Sequence, residues 1–263
     1  MNTTIPVLMY HAMRDEHGEC PGADPHYAVT PRQLDNHLAL SAEAGLLVRS
    51  VAHLLAVPAD RPRSVAFTFD DGHSSNGPAA ERIIRAGGSA DFFVNPSQVG
   101  KAHNLGWNDL RAMADAGMSI QSHGQDHRYL DELSPAEVVA QLVDSKKAIE
   151  DQLGRPVCLF ALPGGRAPPD LRAVAIRAGY AAVCTSRAGL WRTGKDVWDV
   201  PRLAVLQSTS EAQLTRWLSH HWWEVAHSRA RYRALTMARR LLGSNCYGRL
   251  RGRLLRSDPQ ELS

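Results

Sequence analysis

The feature that most constrains this chain is a repeated alternation of short apolar runs, rich in β-branched and aromatic residues, with longer helical patterns. Residues 5–10, 65–69, 90–94, 118–121, 157–161, 180–184 and 203–207 read as strands. Helix signals separate them. Thr30-Pro31 supplies an N-cap and first helical position, with Leu34 and Leu38 on one face and Gly45 as the stop. Ser134-Pro135-Ala136-Glu137 is a capping box ahead of Val138, Leu142, Ile149 and Leu153, and Gly154 ends that helix. About seven strands with helices between them call for a mostly parallel sheet, and that number favours a (β/α) barrel over an open sheet, although the pattern admits both.

A chain of 263 residues can bury a large core. Its apolar runs, such as 65–69 and 157–162, fall far short of the roughly 20 residues that span a bilayer. Residues 1–7 lack a basic region followed by an apolar stretch and a small-residue cleavage site, so a cytoplasmic location is expected. Cys20, Cys158, Cys184 and Cys246 show neither CxxC spacing nor a disulfide ladder and read as reduced thiols.

Charge divides the chain unevenly. Residues 225–257 hold nine Arg and no Asp or Glu, which leaves 21 basic against 27 acidic residues elsewhere, a net −6. An acidic body argues against nucleic acid as a partner. The expected division is therefore a catalytic domain over 1–218 and a basic helical tail over 219–263. Trp217 and Leu218 at the end of the domain, with Trp222, Trp223 and Val225 in the tail, precede the arginines, a composition suited to peripheral docking on the inner face of an anionic membrane.

Two motifs carry chemistry. In Phe67-Thr68-Phe69-Asp70-Asp71-Gly72 two carboxylates sit where a buried strand ends and a glycine permits a sharp turn. About 50 residues later, Ser122-His123-Gly124-Gln125-Asp126-His127 ends another strand with two imidazoles four positions apart. One Asp and two His make a half-open metal site, with positions left for water and substrate. Separately, Asp-Asp-Gly describes many solvated turns and HxxxH arises by chance among 12 histidines; together, both at strand C-termini, they point to a metal centre.

With these residues in place the chain resembles the NodB-homology polysaccharide deacetylases, carbohydrate esterase family 4, from about residue 5 to 218. Residues 68–72 match the first motif of that family and 122–127 the second. Residues 90–94, 107–117 and 130–154 resemble its linking strand and helices. The resemblance implies a distorted (β/α) barrel of about seven parallel strands. It implies that Asp70 is the catalytic base, that Asp71, His123 and His127 hold one divalent ion, with zinc expected, and that the substrate is an N-acetylated glycan or glycoconjugate.

The chain also departs from the family pattern. In Phe160-Ala161-Leu162-Pro163-Gly164-Gly165, Ala161 stands where many members have arginine and Gly164 where many have tyrosine. The amide of Gly164 can still serve as an oxyanion donor, since that contact needs no side chain. Arg202, in Val200-Pro201-Arg202-Leu203, resembles the arginine of members that lack the first one and is the expected partner of Asp70; Asp196 and Asp199 loosely match the carboxylates of a fourth motif. The late LxH motif is absent. His11, in Leu8-Met9-Tyr10-His11, resembles the opening of a permuted branch and is the expected general acid, suited by an ordinary pKa near 6.5. His73 reads as a rim residue, and Trp107 and Trp191 as candidate sugar platforms. The competing functions are hydrolysis of a cyclic imide or ureide on the same scaffold and a catalytically decayed glycan-binding protein.

Overall fold

The computed structural model describes residues 4–57, 63–193, 195, 197–234 and 237. Seven strands form its centre: β1 (Thr4–Tyr10), β2 (Ser64–Phe69), β3 (Asp91–Val94), β4 (Ser119–Ser122), β5 (Leu159–Ala161), β6 (Ala182–Cys184) and β7 (Leu203–Ala204). Every run expected from the sequence is a strand here. From β1 to β6 each strand pairs in parallel with the next. The sheet then curls onto itself: β7 pairs in parallel with β1 at Leu8 and Met9, while Val200, just before it, bridges Cys184 of β6. The segment from Val200 to Val205 is thus the seam of a distorted barrel, held by amides of Thr185 and Val205 that donate to carbonyls of Val200 and Met9, both at 2.9 Å.

Strand periodicity sorts the side chains into two cores. Leu8, Tyr10, Phe67, Phe69, Phe92, Ile120, Phe160 and Leu203 point outward under the helices. Ile5, Val7, Ala66, Phe93, Leu159, Ala161, Cys184 and Val200 form the inner core. Continued past the strand C-termini, the inner parity includes His11, Asp70 and His123, and Arg202, just before β7, shares it and reaches Asp70 with its long side chain. That parity is why residues so distant in sequence meet at one mouth.

The helices are α1 (Pro31–Glu43), α2 (Val51–Ala56), α3 (Asn76–Arg85), α4 (Trp107–Asp115), α5 (Pro135–Leu153), α6 (Leu171–Arg177) and α7 (Glu211–Leu218). Both expected helix starts are built as read: Thr30 and Ser134 each close a capping box, with Gln33 and Glu137. Helix α2 was not anticipated. Its Val51 and Leu54 join the inner core, so it covers the end of the barrel opposite the mouth. Four short strand segments were also missed: Leu47–Arg49 beside β2, Leu190–Arg192 antiparallel to β1, and Ala12–Met13, which pairs with Ala28–Val29.

Beyond α7, residues 222–234 are helical. Val225 is buried and Tyr232 packs on the outer core. Contacts cross the expected boundary at 218: Gln213 Nε2 and Arg216 Nε donate to Glu224 at 3.0 and 2.8 Å. Trp217, Leu218 and Val225 are core residues, which corrects their expected exposure, whereas Trp222 and Trp223 stack on each other in solvent. Arg239 and the five arginines that follow it lie outside the described residues, as do Asp196 and Cys246. No helix among the described residues is long and apolar enough to cross a membrane.

Candidate active site

The mouth of the barrel gathers the expected ligands. Asp71 Oδ1 lies 3.4 Å from His123 Nε2 and 3.2 Å from His127 Nε2, and the three ligand atoms fall within 4.8 Å of one another. Asp71 and His127 both take left-handed backbone, φ 74° and 64°, which is uncommon outside glycine and points to a local constraint. His123 is held by its own ring: Nδ1 is 2.9 Å from the Ala161 carbonyl, so it carries the proton and leaves Nε2 as a lone pair.

The donor set fits a divalent cation. Asp71 Oδ1 is buried with no hydrogen-bond partner, and it faces two imidazole nitrogens. Such an atom, costly to leave unpaired, is matched by a positive ion that also accepts both nitrogen lone pairs. Burial pushes the Asp71 carboxyl up, but the two imidazoles hold it well below the usual carboxylate range.

Asp70 has a different environment. Its carboxylate is buried and receives both Arg202 Nη1 and Nη2, at 2.6 and 2.8 Å, in a bidentate pair. Arg202 is itself 0% exposed, donates through Nε to the Thr185 carbonyl at 3.1 Å, and lies over the Phe93 ring. It reaches Asp70 from the seam, across an interior where Ala161 occupies little space. Burial raises the Asp70 carboxyl, yet the Arg202 charge and hydrogen bonds bring it below its ordinary value.

His11 follows β1 and lines a cavity of about 100 Å³ together with Asp71, Tyr27 and His73. Its Nδ1 is buried without a partner, and its ring packs against Tyr27 at 4.4 Å. Burial lowers the His11 pKa, opposed in part by the charges of Asp71 and Asp70. Gly164 sits in the turn Pro163–Gly165 after β5, with φ 58°.

Other expected residues fall elsewhere. His73 is engaged at both nitrogens, by Ser75 Oγ at 2.8 Å and the Pro21 carbonyl at 2.9 Å, as befits a rim residue. Asp199 pairs with Arg187 and Thr185. Trp191 is buried in the inner core and Trp107 packs on the outer one at the start of α4, so neither offers a sugar platform.

Sequence reading missed the supports beneath the histidine loop. Gln141 and Ser145, one turn apart on α5, are both buried. Gln141 Oε1 accepts from the amides of Gln125 and Asp126, its Nε2 donates to Asp126 Oδ1 at 2.7 Å, and Ser145 Oγ lies 2.7 Å from Ser122 Oγ. Asn95 Nδ2 donates to the carbonyls of His123 and Gly124. Polar residues at apolar positions of an amphipathic helix were the available signal.

Comparison with known proteins agrees with this geometry. Residues 58–183 match the family model of polysaccharide deacetylase. Over 206 residues the chain is 25% identical to Bacillus subtilis YxkH, assigned to the polysaccharide deacetylases, covering 76% of this chain and 71% of that one. It is 32% identical over 136 residues to the peptidoglycan-N-acetylglucosamine deacetylase PgdA of Listeria monocytogenes, 51% of this chain but 28% of that protein. Among solved structures, Streptococcus pyogenes deacetylase PplD in complex with acetate superposes with a TM-score of 0.73 at 26% identity, over 83% of this chain and 99% of that one.

Proposed function

We propose, for a chain that carries a polysaccharide deacetylase domain of the NodB type, that it removes N-acetyl groups from amino sugars of a glycan or glycoconjugate with the help of one divalent ion, zinc being the ion expected. One observation carries this reading: the unpartnered Asp71 oxygen faces two imidazole nitrogens next to a second carboxylate clamped by a buried arginine. Two adjacent aspartates with such unlike partners suit two different tasks.

Asp71, His123 and His127 would hold the ion, which when bound supplies Lewis acidity toward an amide carbonyl and lowers the pKa of water. Asp70 accepts the proton of the attacking water as that water's oxygen bonds to the acetyl carbon. Arg202 keeps Asp70 ionised and fixes its two oxygens, so one faces the centre throughout. The amide of Gly164 donates to the oxygen on which negative charge develops. His11 gives a proton to the nitrogen as the carbon–nitrogen bond breaks, and acetate and the free amine leave. The intact set of Asp70, Asp71, His123, His127, Arg202 and His11 favours catalysis over a decayed binding protein.

The test is acetate release from a panel of N-acetylated glycans, beside small cyclic imides, with and without chelator. Release from glycans alone, abolished by chelation and restored by zinc, supports the reading; turnover confined to imides replaces it. We also propose a cytoplasmic enzyme held on the inner membrane face by its tail, a reading supported by exposed Trp222 and Trp223 ahead of the arginine run. Salt-sensitive sedimentation with anionic vesicles should then disappear when residues after 234 are removed.

A further inference from the structure

We propose that Tyr129 is the platform on which a sugar ring of the substrate stacks beside the metal centre, and that Gly164 and Arg166 exist in their present form to hold it there. This deepens the preceding reading, on which it rests, by making a pyranose ring rather than a small imide the group recognised.

Tyr129 follows His127 by two residues, and the two rings lie edge to face at 6.4 Å. It is 39% exposed, a large aromatic left open at the mouth of the barrel. Yet its orientation is fixed. The Arg166 guanidinium lies over the ring at 4.5 Å, and Arg166 is anchored by Asp131 at 2.7 Å and Glu132 at 2.6 Å, both in the turn that follows Tyr129. On the strand side, a Cβ at Gly164 would come within 2.6 Å of Tyr129 Cε1. The tyrosine therefore occupies the space that any side chain at Gly164 would need. The aromatic ring beside the turn after β5 thus comes from the histidine loop.

An exposed ring held by an arginine and a glycine is preorganised, so little is lost in ordering it when a ligand arrives. A phenol has an apolar face and a polar tip, which match the C–H face of a pyranose and its hydroxyl rim. Its place beside His127 is one ring's reach from the ligands that would meet the acetamide.

The experiment uses zinc-loaded protein carrying Asp70→Asn, so that binding is read without turnover, and titrates an N-acetylglucosamine tetramer and, separately, acetate into Tyr129, Tyr129→Phe and Tyr129→Ala backgrounds. Tyr129→Ala should weaken the tetramer roughly tenfold, while Tyr129→Phe should stay within about twofold. Acetate affinity and zinc content should not change in either. Unchanged tetramer affinity in Tyr129→Ala, parallel loss of acetate and tetramer, or no tetramer binding to the parent would each overturn the proposal. If the wild-type protein releases no acetate but Tyr129→Ala still weakens the tetramer selectively, deacetylation fails as a reading and the platform stands.

Discussion

Two ends of one barrel bury carboxylates in opposite ways. At the mouth, Asp70 lies against Arg202 and Asp71 against two imidazoles, and both carboxyls are held below their ordinary range despite burial. At the covered end Asp91, first residue of β3, is as buried as Asp70 but has no cation in contact with it, the Arg202 charge acting on it only as the weakest of several influences. It accepts from the amides of Val51 and Ala52 at the start of α2, at 2.5 and 3.3 Å, and burial carries its pKa up to about 7. The same residue type is a charge at one end and close to a neutral hydrogen-bonding group at the other. Partners, more than depth, decide which.

The largest effect should come from separating the pair at the mouth. Arg202→Met would leave the Asp70 carboxylate buried with no counter-charge, and the expected loss is about 3–5 kcal/mol of stability, read by denaturant unfolding. Adding Asp70→Asn to that variant should recover much of the loss, since the unpaired charge is gone. Asp70→Asn alone should retain its metal but lose about 10²-fold or more in turnover. Full turnover in that single variant would move the base elsewhere; an undiminished unfolding midpoint in Arg202→Met would mean that the mouth holds the Asp70 carboxyl without its counter-charge, as the covered end holds Asp91.

A smaller cut at the same end separates ligands from the general acid. His127→Ala should remove the roughly one equivalent of divalent ion expected per chain, by elemental analysis. His11→Ala should keep the ion and fold normally, because His11 Nδ1 makes no hydrogen bond that the fold depends on. Its kcat on an N-acetyl sugar should nonetheless fall by about 10²-fold. A His11→Ala enzyme with unchanged kcat would return that histidine to a packing role beside Tyr27.

How legible the mouth was in the sequence follows from how each residue acts. The strands were readable because their apolar runs are bounded by turn and cap signals, and strand parity then carries His11, Asp70, His123 and Arg202 to one place. The trio Asp71, His123 and His127 was readable as two local motifs. Arg202 could be named because a proline–arginine strand resembled a known substitute, but its bidentate grip on Asp70 spans 132 residues and belongs to the folded chain alone. Tyr129 had no local signal, for its orientation depends on the missing side chain of Gly164. The covered end was opaque for another reason. The strand Leu47–Arg49 and helix α2, three and six residues long, are too short to show a period, and without them Asp91 looks like the polar start of an ordinary strand.

That blind spot supplies the smallest and sharpest test. Asp91 in the folded chain has its pKa raised to about 7, from an ordinary carboxylate value near 4 when unfolded. Protons are then bound more tightly by the folded state, so the stability tied to this group is complete below about pH 4 and is lost as pH rises through 7. Asp91→Asn keeps an acceptor for the Val51 amide and removes the titration. Relative to wild type, the variant should therefore gain about 2 kcal/mol or more on passing from pH 5 to pH 8, roughly 5 °C in melting temperature for a chain of this size. Groups at the mouth titrate alike in both proteins and cancel in the difference. A difference that is the same at the two pH values would show Asp91 ionised at both, its charge held by the first amides of α2 as an anion at a helix N-terminus. The two ends of the barrel would then solve the problem of a buried carboxylate in one way, with amide dipoles standing in for the arginine.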